Sequence, residues 1–428
     1  MSAPLRLLVL GCSALSTGEL TIALDWVRRC TRAIDLHLLV PATVAPHLAW
    51  AGRVHPYPQA GRATALAAMQ SAIDACRPDL LLVADLLLFH GAPHEVGASL
   101  EPVLHHALAR CRVAALDLYD WDAHVGVLEC YGKVRFAAAP PLPPAVARLM
   151  PSPYLPPGRS ASGRGRYAMV SDGQPGDAAT KEAVRRELNV EGPLVLTLTS
   201  PWQHVAQGLA DAAGVTRHFP ALMLRLLDEA ARRGGRATLV HLGPAPMTVP
   251  ADVLHLRYVH VAQLPPDRFS RLLGATDLVL TPNCIASSAV RGASMRVPCA
   301  ALRLDADGVA PVGRGFSLAA GRRLAAGRAD TRAQRALAAF LRDAVPLYGF
   351  LVWPLGLRRV MRTILQDNPF GAIQAHFDVG DADGTVEGLA RLLGDEGARD
   401  EIREAQGRYF ATLAREMDRP DTALEAIL

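Results

Sequence analysis

The stretch ATDLVLTPNCIASSAVRGASMRVPCAAL, residues 275–302, decides the fold. Leu278 to Thr281 is a short apolar run of the kind that forms a buried strand. Pro282 and Asn283 follow as turn residues, and the paired Ser287 and Ser288 open a helix expected over 286–295. Val297-Pro298 then opens a second apolar run, which predicts a strand over 299–303. A strand that ends in a polar turn at a helix N-terminus makes an anion site. Its unpaired backbone N–H groups and the helix dipole both favour negative charge there.

The same alternation extends upstream. A helix is expected near 181–188, a strand at 194–199, a helix at 221–233, strands at 238–242 and 258–261, and a helix at 268–275. In the first half, apolar runs at 5–10, 36–40, 80–84 and 113–116 read as strands, and 19–32, 62–76 and 100–110 as helices. Strand–helix alternation of this kind predicts parallel sheets built from βαβ units. Eight prolines between Pro140 and Pro157 interrupt it, followed by Gly, Ser and Arg through Gly176. Proline ends helices and removes strand donors, so 140–177 reads as a linker. The expected organisation is α/β: a Rossmann-like domain over 1–139, the linker, a second Rossmann-like domain over 178–380, and C-terminal helices over 381–428.

Bulk properties agree with packed α/β units. The 428 residues are 50% hydrophobic, with a net charge of +4 spread along the chain and a mean hydropathy of +0.16. Disorder needs the opposite balance, and the diffuse charge argues no nucleic-acid partner. Seven cysteines, an odd number with no CxxC, support neither a disulfide framework nor a zinc site. No window reaches the roughly 18 apolar residues that cross a bilayer. The reading is a protein of the reducing cytoplasm with no integral membrane segment.

Residues 236–302 carry a family resemblance. Their order is RATLVHLGP, LHLRYVHV, PPDRFSRLLGATD, LVLTPNCIASS and RVPCAAL. This resembles the donor-nucleotide half of glycosyltransferases of the GT-B type, in particular the bacterial lipid-linked GlcNAc transferase and antibiotic glycosyltransferases. The resemblance implies two facing Rossmann-like domains with a cleft between them, the second holding a nucleotide-diphosphate sugar. Carried over, it places Gly243 near base or ribose and Ser287 and Ser288 at the phosphates. This chain departs from the family at three places. Arg291 stands where the family has a ribose-holding Glu, Arg296 stands where it has a glycine, and Pro282-Asn283 displaces its His or Arg. Arg291 is a bidentate phosphate donor by its chemistry. In SPWQHVAQG, residues 200–208, Trp202 offers a base stack, and Gln203 or His204 a sugar or phosphate contact. The expected donor site is therefore Trp202, Gln203, Gly243, Asn283, Ser287, Ser288 and Arg291.

The first domain is expected to supply a base. The loop GCSALSTGEL offers Ser13, Ser16, Thr17 and Glu19, and lacks the His common in the family. Thr17 also suits a helix cap, with Glu19 as a favourable first-turn charge. LDLYDWD, residues 116–122, places Asp117, Asp120 and Asp122 beyond a strand end, and Asp85 and His90 follow another. Asp120 ranks slightly ahead of Glu19, because Glu19 has a structural reason to open its helix. Three DxD matches, at Asp120, Asp305 and Asp381, show how unspecific that metal-binding pattern is. The GT-B type uses helix dipoles and side chains, so no metal and no cofactor are expected.

The function implied is a metal-independent transfer of sugar from a nucleotide-diphosphate donor to a small-molecule acceptor, in bacterial secondary metabolism. Two alternatives share the fold. One is a nucleotide-sugar epimerase; the other is a catalytically silent protein that binds a ligand or partner.

Overall fold

The computed structural model describes residues 3–14, 17–59, 61–91, 96–118, 120–121, 128–130, 134–136, 142–169, 176–201, 214–262, 264–281, 286–303, 311–312, 315–316, 329–343 and 368–428. Trp202, Gln203, His204, Asn283, Ser16, Asp122 and Asp305 lie outside them. Two compact units emerge. One comprises Met1–Cys130, Val134–Met169 and Ala411–Leu428, and the other Tyr131–Lys133 and Val170–Phe410.

The first unit is built on a seven-stranded sheet. In chain order its elements are β1 (Leu5–Leu10), α1 (Gly18–Arg29), β2 (Ile34–Pro41), β3 (Arg53–Tyr57), α2 (Arg62–Cys76), β4 (Leu80–Val83), α3 (Leu86–Gly91), α4 (Glu101–Leu108) and β5 (Arg112–Leu116). A short antiparallel ribbon follows, β6 (Leu128–Cys130) with β7 (Val134–Phe136), then β8 (Val146–Ser152) and β9 (Arg164–Ala168). The strand order is β3-β2-β1-β4-β5-β8-β9, with every pair parallel. Leu80–Val83 are buried throughout, as strands of a sheet covered on both faces must be. Leu7, Leu38, Leu39 and Trp26 complete the interior, none of them exposed.

The stretch read as a linker behaves differently from that reading. Residues 146–152 and 164–168 within it are strands of the first sheet. The prolines mostly flank β8 rather than interrupt it, so its donors remain available for pairing.

The second unit holds a six-stranded sheet. Its elements are α5 (Ala178–Glu187), β10 (Leu194–Leu198), α6 (Gly214–Gly234), β11 (Ala237–Leu242), β12 (Leu256–Val261), α7 (Pro266–Ala275), β13 (Leu278–Thr281), α8 (Ser287–Ser294) and β14 (Cys299–Arg303). The two-residue strands β15 (Pro311–Val312) and β16 (Gly315–Phe316) pair as a ribbon. After them come α9 (Arg332–Asp343), β17 (Ala375–Asp378), α10 (Ala382–Gly394) and α11 (Glu396–Glu416). The order β12-β11-β10-β13-β14-β17 is parallel throughout. Leu222, Leu226 and Leu227 of α6 pack with Val195, Leu239, Leu278 and Leu302 of the sheet, and with Val386 and Leu389 of α10. Burying one such leucine contributes about 1.5–3 kcal/mol.

Both units are therefore doubly wound parallel sheets, the α/β class expected from the alternation. The C-terminal residues divide between them. Residues up to Phe410 belong to the second unit, and α11 carries the chain into the first. There α12 (Pro420–Ile427) packs on β9 so closely that a Cβ at Gly165 would meet the Ala423 carbonyl. Asp421 fixes α12 further by accepting from Thr31 N and Arg32 N at 2.9 and 3.2 Å.

Candidate functional site

In an open parallel sheet, ligands bind beyond the carboxyl ends of the strands, where the strand order reverses. The first sheet reverses between β1 and β4, the second between β10 and β13. These two positions contain most of the candidate residues that the structure describes.

At the second switch point, β10 runs out into Thr199 and β11 into Gly243. His241 is fully buried and lies in register with Thr197 of β10 and His260 of β12. Its Nε2 is 2.8 Å from Thr199 Oγ1 and its Nδ1 is 2.8 Å from the Tyr258 hydroxyl. The Tyr258 oxygen also accepts from Met247 N at 2.7 Å. Which partner donates along this chain is set by the His241 tautomer. Burial raises the Tyr258 phenol, so it keeps its proton at neutral pH.

Gly243 is fixed by this network. A Cβ there would be driven into Thr199 Oγ1 and would sit 2.6 Å from His241 Nε2. The Gly243 carbonyl meets His260 Nε2 at 2.9 Å, and its N–H donates to Val261 O at 3.1 Å. The glycine exit expected near a base or ribose is thus a backbone segment that passes flush over a polar cluster, with no side chain of its own.

Ser287 and Ser288 occupy the first two positions of α8. The cap position is Ala286, whose side chain has no acceptor for the first-turn N–H groups. Both serines lie inside the helix, past its cap position. Arg291 lies one turn on. Its guanidinium sits over the Phe269 ring, 5.1 Å from the centroid, and Nη2 donates to Ser270 Oγ at 3.3 Å. In this conformation the side chain packs on α7.

The first switch point has another character. Gly11, Cys12 and Ser13 after β1, Asp85 after β4, and Glu19 on α1 line one cavity of about 10 Å³. That is room for about one water molecule. Asp85 Oδ1 accepts from Leu88 N at 2.8 Å and so opens α3. Glu19 is a first-turn acid of α1, whose cap position is Thr17 without a side-chain bond. Tyr154 is buried nearby. Burial first, then the charges of Glu19, Tyr167 and Asp85, push its phenol well above the ordinary value. His90 on α3 stacks on Trp121 at 4.9 Å, and burial pushes its imidazole down to about 4.

Asp120 is one strand away from this cavity and is already engaged. Its Oδ1 is 3.2 Å from Arg148 Nη1, and the same nitrogen is 3.3 Å from the buried Asp117. Asp117 in turn accepts from Trp121 N at 2.9 Å. Asp120 sits at φ 55°, the left-handed region that Asp tolerates better than most residues. Asp117, Asp120 and Arg148 form a unit that fixes the turn after β5. Among the remaining carboxylates of DxD type, Asp381 caps α10 by accepting from Gly384 N at 3.0 Å. Among the described residues, no group of three His, Cys, Asp or Glu is placed to hold a metal ion, and no helix is long and apolar enough to cross a membrane.

Sequence reasoning missed the Thr199–His241–Tyr258 network. The available signal was a histidine inside the apolar run of β11. Its partners are set by parallel register, which no local pattern reveals.

The fold and these two strand-exit sites define an α/β protein of paired Rossmann-like units. Residues 30–428 match the model of a family of unknown function, DUF6365, and the chain belongs to that family. No curated protein matches its sequence. The chain is similar to several solved structures. The glycosyltransferase of kitacinnamycin is 12% identical, with 100% of each chain covered and a TM-score of 0.48. The glycosyltransferase SnogD from Streptomyces nogalater is 14% identical, with 99% of each covered and a TM-score of 0.45. A putative UDP-N-acetylglucosamine 2-epimerase from Listeria monocytogenes is 11% identical, with 98% of this chain and 99% of that one covered and a TM-score of 0.44.

Proposed function

We propose that this protein is a metal-independent glycosyltransferase. The second unit takes a nucleotide-diphosphate sugar, and the first takes the proton of a small-molecule acceptor. The observation that carries the reading is the second switch point. A glycine exit that no side chain can fill lies on the same sheet as a helix N-terminus with an alanine cap and two first-turn serines. Backbone N–H groups and serine hydroxyls there suit a diphosphate, and the helix dipole offsets charge that develops as the nucleotide leaves.

In this reading Ser287 and Ser288 bind phosphate, and Gly243 lets base or ribose approach the sheet. Trp202, Gln203 and Asn283 retain their proposed donor roles from sequence. Glu19 takes precedence over Asp120 as the base, because Glu19 lines the switch-point cavity and Asp120 lies one strand away from it. The attacking acceptor oxygen forms a bond to the anomeric carbon as its proton passes to Glu19. The bond from that carbon to the diphosphate oxygen breaks, and the nucleoside diphosphate leaves with the electron pair.

The test is release of nucleoside diphosphate from a panel of nucleotide sugars, with and without phenolic and alcoholic acceptors, read by chromatography of both products. Acceptor-dependent release with a matching glycoside supports transfer. Interconversion of the nucleotide sugar without release identifies the epimerase. Binding with neither reaction identifies a silent binder.

A further inference from the structure

At the opposite end of the second sheet, where β13 and β14 begin, a cavity of about 410 Å³ opens beside Met295, Val297 and Pro298. Three cations line it: Lys181 of α5, Arg296 in the α8–β14 turn, and Arg403 of α11. Arg403 is committed to Asp400, at 2.6 Å, and to Glu396. Glu404, also at the cavity, lies 3.5 Å from Arg408. Among the described residues, no acidic side chain pairs with Lys181 or Arg296.

Two backbone features meet at Arg296. It adopts φ 57° just past the end of α8, where Val297 N donates to Gly292 O at 2.8 Å and closes the last turn. Its guanidinium also lies directly on Gly407 inside α11, where an added Cβ would be 3.1 Å from both Cζ and Nε. Glycine within a helix is unfavourable in its own right. The mid-helix glycine leaves room for that guanidinium at the rim of the cavity.

We propose that this cavity binds a phosphorylated small molecule. Arg296 and Lys181 hold the phosphate, and Met295, Val297 and Pro298 receive the apolar body. A guanidinium and an ammonium that line one cavity both offer charge-assisted hydrogen bonds to an anion held there. The apolar floor favours a phosphate ester over free phosphate. The site is separate from the strand-exit site of the proposed transfer reaction, and it stands whether or not that reaction is correct.

The experiment is a thermal-shift titration of the full chain with phenyl phosphate, inorganic phosphate and phenol. It is run on wild type, Arg296→Gly, Lys181→Ala and the Ser287→Ala/Ser288→Ala double variant. Glycine suits φ 57°, so Arg296→Gly keeps the fold while losing the guanidinium. Wild type is expected to respond saturably to phenyl phosphate, less to phosphate and not to phenol. Losing a charged hydrogen-bond donor weakens binding about tenfold or more, so Arg296→Gly and Lys181→Ala should show that loss. The double variant removes the serines proposed to bind phosphate at the strand-exit site, so a response that survives in it and is lost when Arg296→Gly is added belongs to this cavity. No wild-type response to phenyl phosphate, or an undiminished response in Arg296→Gly, overturns the proposal. A response lost only in the serine double variant also overturns it, and assigns the binding to the strand-exit site.

Discussion

At the first unit's switch point, two carboxylates, Asp85 and Glu19, line a cavity with room for about one water. At the second unit's switch point, the residues leaving β10 and β11 and opening α8 carry no carboxylate: Thr199 and Ser200, Gly243 and Pro244, Ser287 and Ser288. The two sheets share a winding, with the reversal after the strand that opens each unit. Equivalent positions in one topology therefore carry opposite electrostatic character. Carboxylates accept protons and repel phosphate; a helix N-terminus with hydroxyls does the reverse. The difference teaches that topology fixes where a site lies, while the exit residues fix which half of a reaction it serves.

The largest expected effect separates the two points by chemistry. Glu19→Gln should lower turnover by about 10²–10⁴-fold while nucleotide affinity stays the same, as expected for loss of a positioned base. Steady-state rates beside a nucleotide titration check this. Near-normal turnover would remove the catalytic half of the contrast.

Next in size is a pH effect confined to the first unit. His90 is depressed to about 4 when folded, against about 6.5 unfolded. The unfolded chain thus binds the proton first as pH falls. Stability is complete above pH 6.5 and declines as pH drops toward 4, by roughly 3 kcal/mol. Urea denaturation across that range should show the loss in wild type, and His90→Phe, which keeps a ring against Trp121, should flatten it.

A smaller effect sharpens the second unit's role. The Ser287→Ala/Ser288→Ala variant should lose about 1–3 kcal/mol of nucleoside diphosphate affinity, the worth of two hydrogen bonds. Its melting temperature should hardly move, because neither serine caps α8. A drop in melting temperature with unchanged affinity would return the serines to a structural role. The smallest effect belongs to Asp120→Asn. A partly exposed ion pair contributes about 0.2–1 kcal/mol, so stability should fall by that amount and turnover should stay within a few-fold.

Much of the fold was legible because parallel strands buried on both faces are continuous apolar runs. β1, β13, β14 and α2 have the boundaries that the pattern predicts. α6 begins at Gly214, earlier than the expected 221, because the helix continues through Pro220 where sequence reasoning starts it afresh. β9, RGRYA, was invisible for a different reason. It is an edge strand with two arginines, and its burial comes from α12, far along the chain. The candidate site was legible in part. The Ser-rich helix start and the glycine exit are local signals. The Arg148 clamp on Asp120 joins positions separated by 28 residues, and the His241 network depends on register between strands. Neither leaves a local trace.

The central claim is that the second unit's switch point binds a nucleoside diphosphate. Calorimetric titration of the full chain with UDP and dTDP, wild type beside Gly243→Val, tests it directly. A valine at 243 must displace Thr199 and His241, whose atoms occupy the space of its Cβ. The account predicts saturable one-site binding of at least one of the two nucleotides to wild type, and loss of that binding in Gly243→Val while the second unit still melts cooperatively. No binding to wild type, or equal affinity in both proteins, would contradict it.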